Sequence, residues 1–322
     1  MTQSADQLTA RLLTMLAYRR PAGSTTEAAF CQRWLSPLGA TEDAIGNWHL
    51  TIGASRVLWS AHLDTVHSFA GNSRIRFDGR YARAHKSVLG ADDTAGCFLL
   101  CELARRHVPG IYIWHAGEEI GCLGSRDIVD SAPDWLDDLD MVIALDRRGT
   151  HEIITHQMCR RTCSEAFAAD LAAQLTSAGL PYRPSANGLY TDSDSYAPVV
   201  PECTNLSVGY DHEHSDREVL DVPHVLRLLD ALSVLNVSAL SVARDPLEAD
   251  DDDWGLSWRV DSVRLPSSQQ YDWTNWPADD DDPTLAVDVA AVQRRRKRSC
   301  WLTEEVADVQ DALMPRDYGS VQ

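Results

Sequence analysis

Val57-Leu58-Trp59-Ser60-Ala61-His62-Leu63-Asp64 decides the fold. A short apolar run with no alternation reads as a strand buried on both faces. It breaks off into a histidine and an aspartate. The same construction recurs twice. Ile111–Trp114 runs into Glu118-Glu119, and Met141–Leu145 ends at Asp146. Polar side chains able to ligate or to move protons thus stand where apolar strands stop.

Helical patterns separate these strands. Residues 6–18 place Leu8, Leu12, Leu13 and Leu16 on one face, and Ser24-Thr25-Thr26-Glu27 opens a second helix that runs to about Leu35. Further helices are expected over Thr94–His107, from Gly124, over Cys163–Leu175 and over Pro223–Val237. Strands are expected at Trp48–Ile52, Glu152–Thr155 and Asn205–Gly209, with a hairpin over Arg74–Ala84 around Asp78-Gly79. Alternation of this kind predicts a three-layer α/β/α domain around a mixed central sheet.

At 322 residues and 44 % apolar content the chain has material for one large domain and an appendage. Its character changes near residue 243. Acidic blocks appear at Asp250–Asp253 and Asp279–Asp282, five of the ten tryptophans lie beyond position 250, and a basic cluster occupies residues 294–298. The expected division is a catalytic domain at 1–242 and an irregular, acidic, tryptophan-rich extension at 243–322, docked through its indoles. A short helix is expected at Thr303–Leu313. The formal net charge of −19 disfavours nucleic acid and anionic lipid as partners and favours metal cations. The N-terminal residues carry no basic segment followed by an apolar one, so a cytoplasmic protein without a membrane span is expected. The eight scattered cysteines read as reduced and mostly buried.

The chemistry lies in the order of the polar residues. Two divalent ions that share one carboxylate need about two further nitrogen or oxygen ligands each. Asp92 reads as the shared carboxylate, with His62 and Asp146 completing one site and Glu119 and His214 the other. Asp93 competes with Asp92, and His212 with His214. Glu118, adjacent to a ligand but pointing elsewhere, reads as the general base. Asp64, two residues past His62, reads as the carboxylate that orients that imidazole. Taken singly, each piece has an ordinary explanation as a helix cap, a turn or a core histidine. Their common placement after apolar runs or at a helix start does not. The pattern points to hydrolysis of an amide bond.

These residues also carry a resemblance. Ser60-Ala61-His62-Leu63-Asp64-Thr65-Val66 resembles the first metal motif of the zinc exopeptidase superfamily, which includes peptidase T, the glutamate carboxypeptidases and bacterial leucyl aminopeptidases. Leu89-Gly90-Ala91-Asp92-Asp93-Thr94-Ala95-Gly96 is similar to the second motif, His115-Ala116-Gly117-Glu118-Glu119-Ile120-Gly121 to the third and Ala144-Leu145-Asp146 to the fourth. Asn205–Tyr210 followed by His214-Ser215 is similar to the last, and Asp43–Asn47 to a recurring early turn. The resemblance spans roughly residues 5–240. It implies a phosphorylase/hydrolase-like fold and two zinc ions, with cobalt or manganese as alternatives. Only residues 147–213 separate the fourth and fifth motifs, too few for the lid domain that many relatives insert there.

The substrate is less clearly written. Arg147 or Arg148 could pair a substrate carboxylate, and Asp192 or Asp194 could receive a free α-amine. The expectation is an exopeptidase, aminopeptidase or dipeptidase, acting on small peptides. The alternatives are an amidohydrolase of N-acyl amino acids with the same site and a non-catalytic binding protein on a peptidase fold. No motif speaks to oligomeric state.

Overall fold

In the computed structural model, residues 4–248 are described. The central sheet has eight strands: β1 (Thr41–Glu42), β2 (Trp48–Ile52), β3 (Val57–His62), β4 (Gly110–His115), β5 (Met141–Arg147), β6 (Glu152–Ile154), β7 (Arg183–Ser185) and β8 (Glu202–Ser207). Their spatial order is β7-β6-β8-β5-β3-β4-β2-β1. The four middle strands, β8, β5, β3 and β4, are mutually parallel, and antiparallel pairings join β6, β2 and β1 to them. Every residue of β3 and β8 is buried; β3 is apolar or small up to His62, whereas β8 carries Glu202, Thr204 and Asn205, each hydrogen-bonded inside.

Two cores result. Trp59, Ala61, Tyr112, Trp114, Ile143 and Leu145 face one side of the sheet, while Leu58, Ile113 and Val142 face the other. This is the two-residue period of a strand read across three neighbours. Helices α1 (Ala5–Leu16), α2 (Thr25–Trp34) and α3 (Ala91–Arg105) lie in chain order before α4 (Leu123–Ser131), α5 (Glu165–Ser177), α6 (Asp192–Tyr196) and α7 (Val222–Ser233). Leu12, Leu16, Leu99, Leu103, Leu228 and Leu232 of α1, α3 and α7 join the first core, and Ile128 and Tyr196 of α4 and α6 join the second. The expected three layers are therefore present.

The helix starts follow local chemistry. Ser24 Oγ accepts the Glu27 N–H at 3.2 Å, although the Glu27 carboxylate reaches back to the Gly23 N–H and not to that of Ser24. Asp221 caps α7 by accepting from His224 N at 3.0 Å. Asp92 and Asp93, joined by a cis peptide, have non-helical backbones within α3, so its regular part begins near the expected Thr94. Gly90, just before them, has φ +71°, and a Cβ there would meet the His67 ring at 2.8 Å.

Residues 147–213 supply β6, β7, β8, α5, α6 and a small hairpin, and build the sheet rather than a separate domain. Residues 243 and 244 are tied to the body. Their N–H groups donate to Glu202, and the Arg244 guanidinium donates to the carbonyls of Ala197, Val200 and Pro201. The expectations for the remainder of the extension, including its tryptophans, basic cluster and short helix, lie outside the described residues. No helix among the described residues is long and apolar enough to cross a membrane.

Candidate metal centre

The parallel strands deliver their polar ends to one place. His62 lies opposite His115 in the β3–β4 register, and β5, the other neighbour of β3, carries Asp146 near its end. The mouth of a parallel sheet at its carboxyl ends is the usual ligand crevice of such folds. Asp92 reaches the crevice from the loop before the regular part of α3, Glu118 and Glu119 from the turn after β4, and His214 from the loop before α7.

There the side chains form two groups with one member in common. His62 Nε2 lies 3.0 Å from Asp92 Oδ1 and 3.5 Å from Asp146 Oδ1. His214 Nε2 lies 3.1 Å from Asp92 Oδ2 and 3.1 Å from Glu119 Oε1. Within each triad, His62–Asp92–Asp146 and Asp92–Glu119–His214, the potential ligand atoms all fall within 4.8 Å of one another. Asp92 turns one oxygen to each. Asp93 is turned away, with its carboxylate accepting from His62 N and Gly96 N. His212 belongs to neither group, and neither does His115, which bonds Tyr196 Oη through Nε2 and is pushed down to about 3 by burial.

The electrostatics call for positive charge. Burial raises Glu119, Asp146 and, most strongly, Glu118 above the usual carboxylate range, and their mutual repulsion adds to it. Asp92 is held low despite its burial because both imidazoles bond it. Hydrogen bonds to Asp92 and Glu119 carry His214 up to about 11, and burial of His62 is outweighed by Asp146 and the carboxylates beside it. Glu119 Oε1 is fully buried, and the His214 imidazole at 3.1 Å is the group beside it. Buried carboxylate oxygens gathered with imidazole nitrogens fit the nitrogen and oxygen ligand preference of zinc and its neighbours.

The backbone around the triads is held by buried polar side chains. Asp64 Oδ1 accepts from Glu118 N at 3.0 Å, and its Oδ2 accepts from Glu119 N at 3.1 Å. The expected contact with His62 takes another form. Nδ1 bonds the Asp64 main-chain carbonyl at 3.0 Å, while the Asp64 carboxylate stands 3.5 Å away. Asn205 accepts from Asp146 N and donates to Asp146 O, and Thr191 and Tyr210 donate to the Asp146 carboxylate. Glu218 accepts four successive main-chain N–H groups, those of Leu89, Gly90, Ala91 and Asp92. Asn205, Thr191, Tyr210 and Glu218 were not singled out by the sequence as site residues. Asn205 and Tyr210 stand at the ends of the motif Asn205–Tyr210, and nothing in the sequence pointed to Glu218.

The cleft holds about 130 Å³ and is lined by Asp92, Glu118, Glu119, Asp146, Arg148 and Tyr190 among others. Arg147 also lines it, but its guanidinium is engaged by Glu152 and the Asn187 carbonyl. Arg148 is more exposed and pairs with Glu213. Asp192 and Asp194 are not in the cleft lining. Asp194 is bound by Arg160 at 2.8 Å. Asp192 is 2 % exposed and lies 3.4 Å from His115 Nδ1.

Residues 45–199 match the model of Peptidase family M28. No curated protein matches the chain by sequence. Among solved structures, the chain is similar to the aminopeptidase PepT of Bacillus cereus ATCC 10987, at 13 % identity and a TM-score of 0.60 over 71 % of this chain and 97 % of that one. It is similar to a tripeptidase of Staphylococcus aureus subsp. aureus Mu50, at 14 % identity and a TM-score of 0.61 over 71 % and 97 %. A TET aminopeptidase from a marine sediment Thaumarchaeota archaeon aligns at 13 % identity with a TM-score of 0.58, over 72 % and 96 %.

Proposed function

We propose, for a chain that belongs to the zinc exopeptidase superfamily and is a metallopeptidase, that it removes single residues from small peptides as an aminopeptidase or dipeptidase. The observation that carries this reading is the sharing of Asp92 between two ligand triads, one oxygen to each. His62 and Asp146 would hold one divalent ion and Glu119 and His214 the other, with Asp92 between them. Such a pair, when bound, supplies carbonyl polarisation and a water of lowered pKa.

The protein's own part is positioning and proton transfer. Glu118 lines the cleft beside the triads, and burial gives its carboxylate a raised affinity for a proton. It takes the proton of the attacking water and delivers it to the leaving nitrogen. Asp64 fixes the main chain of Glu118 and Glu119 together, so base and ligand keep their separation. The likeness to solved aminopeptidases and a tripeptidase supports recognition of a chain terminus over an internal peptide bond. Arg148, half exposed in the wall, favours a second reading in which the substrate is an N-acyl amino acid held by its carboxylate.

The test is Glu118→Gln, assayed against a panel of dipeptides and N-acyl amino acids with metal content measured in parallel. The expected result is about two divalent ions per chain retained and kcat reduced by at least about 100-fold. Undiminished turnover would remove Glu118 from the mechanism, and the panel separates the two substrate classes.

A further inference from the structure

We propose that Glu218 is a positioning residue that builds one half of the metal centre, the Asp92–Glu119–His214 half, before any ion binds. The inference rests on the metal-centre reading above. Glu218 is 2 % exposed, and no cationic side chain pairs with it among the described residues. Its Oε2 accepts from Leu89 N and Gly90 N, each at 2.9 Å, and its Oε1 accepts from Ala91 N at 2.8 Å and Asp92 N at 3.1 Å. A carboxylate satisfied wholly by consecutive main-chain donors fixes the path of that loop. The left-handed Gly90 lets the chain curl around it.

The other end of the brace is as specific. Glu218 lies four residues after His214, and its own N–H closes a turn on the Ser215 carbonyl at 3.1 Å. Asp92 and His214, whose side chains meet at 3.1 Å, therefore hang from opposite ends of one side chain. The remaining ligands depend on other contacts. His62 stands on β3 and is held by Asp93 Oδ2 and the Asp64 carbonyl, and Asp146 is held by Asn205. Loss of Glu218 should thus weaken most the ion held by both Asp92 and His214, and less the ion that shares only Asp92 with it.

Glu218→Gln keeps the shape but offers one acceptor oxygen and an NH₂ group that faces two N–H donors. Zn²⁺ titration by calorimetry of the full chain, with His214→Ala as the marker for the affected half, reads the effect. We expect two binding steps in the wild type. In Glu218→Gln the step missing from His214→Ala should be weakened 10- to 100-fold and the other step clearly less. Hydrogen exchange of the metal-free wild type gives a second readout that needs no variant. The amides of residues 89–92 should be protected without metal, and in a folded Glu218→Gln protein they should exchange at least about tenfold faster. Both steps unchanged, both weakened alike, or amides 89–92 unprotected in the metal-free wild type would each overturn the proposal. A wild type that takes up no Zn²⁺ would instead bring down the metal centre itself, and Glu218's role with it. Should Glu218→Gln fail to fold, exchange in the wild type decides.

Discussion

Replacing Asp64 by asparagine separates two accounts of how this centre is held. Proximity in sequence assigns the Asp64 carboxylate to the His62 imidazole. The structure gives that imidazole the Asp64 carbonyl at 3.0 Å and spends both carboxylate oxygens on Glu118 N and Glu119 N. Asparagine leaves the carbonyl in place and keeps one acceptor, but it turns an NH₂ towards one of the two amides. Asp64 is fully buried, so solvent cannot repair the loss. One hydrogen bond to a charged acceptor is worth about 1.5–3 kcal/mol. If about 2 kcal/mol of this falls on the transition state, kcat drops roughly 30-fold at 1.36 kcal/mol per decade. KM should move little, because substrate contacts are untouched. Zn²⁺ titration should show the Glu119 half of the centre weakened and the His62 half retained, with Glu119→Ala and His62→Ala assigning the steps. Selective loss of the His62 half, with the Glu119 half intact, would refute this reasoning and restore the carboxylate to the imidazole.

Other expected outcomes are simpler to state. Removing metal with a chelator should lower the melting temperature, since the buried carboxylates then face one another unscreened; at a free ion concentration 100 times Kd, binding adds about 2.7 kcal/mol, or roughly 5–10 °C. Thermal scans with and without Zn²⁺ check this, and an unchanged midpoint would contradict it. Gly96→Ala would set a Cβ 2.2 Å from the Leu145 carbonyl and 2.4 Å from Asp93 Oδ2. Denaturant unfolding should show a loss of about 3 kcal/mol or more, because backbone on one side cannot yield, and metal uptake should fall with it. Glu27 is buried, and burial, followed by repulsion from Asp64, raises it from 4.5 to about 7. Its folded pKa exceeds its unfolded one, so its contribution is fully present below pH 4.5 and is lost as pH rises through about 7. Glu27→Gln should therefore gain roughly 3 kcal/mol on the wild type between those limits, and parallel unfolding curves at pH 4.5 and 8 would expose a constant difference if the argument is wrong.

The sheet was legible because its middle strands are buried on both faces, and a run such as Val57–Ala61 admits few other uses. Residues 192–196 were not. Asp192-Ser193-Asp194-Ser195-Tyr196 reads as a polar stretch able to receive a free α-amine, yet it is the buried helix α6. Most of its polar groups are paired internally, Asp194 with Arg160, Ser193 with Gln157 and Ser195 with Ser125, while Asp192 Oδ1 is buried without a partner among the described residues. Hydropathy cannot distinguish a polar group in water from one paired in the interior. The same limit hid the pairing of Asp194 with Arg160, which lies 34 residues back in the sequence. β7 was missed because Pro184 argues against a strand; it is tolerated there because β7 is the edge of the sheet.

The candidate ligands were legible for a chemical reason. A cation needs imidazole or carboxylate, those side-chain types are few, and each stands where an apolar strand ends or a helix begins. The frame around them left almost no trace because its partners are main-chain amides, which every residue but proline possesses. Nothing in Leu89-Gly90-Ala91-Asp92 announces that its N–H groups will meet an acid 126 residues or more downstream. Asp64 was legible only in part, as the carboxylate 3.5 Å from the His62 imidazole, for a related reason. The two-residue period that would place it beside His62 holds only while the strand continues, and β3 stops at His62. Beyond that point the carboxylate goes where unpaired donors are, to the turn carrying Glu118 and Glu119. A sequence thus displays the groups that meet a ligand more readily than those that hold them in place, because the former are constrained by chemical type and the latter by position alone.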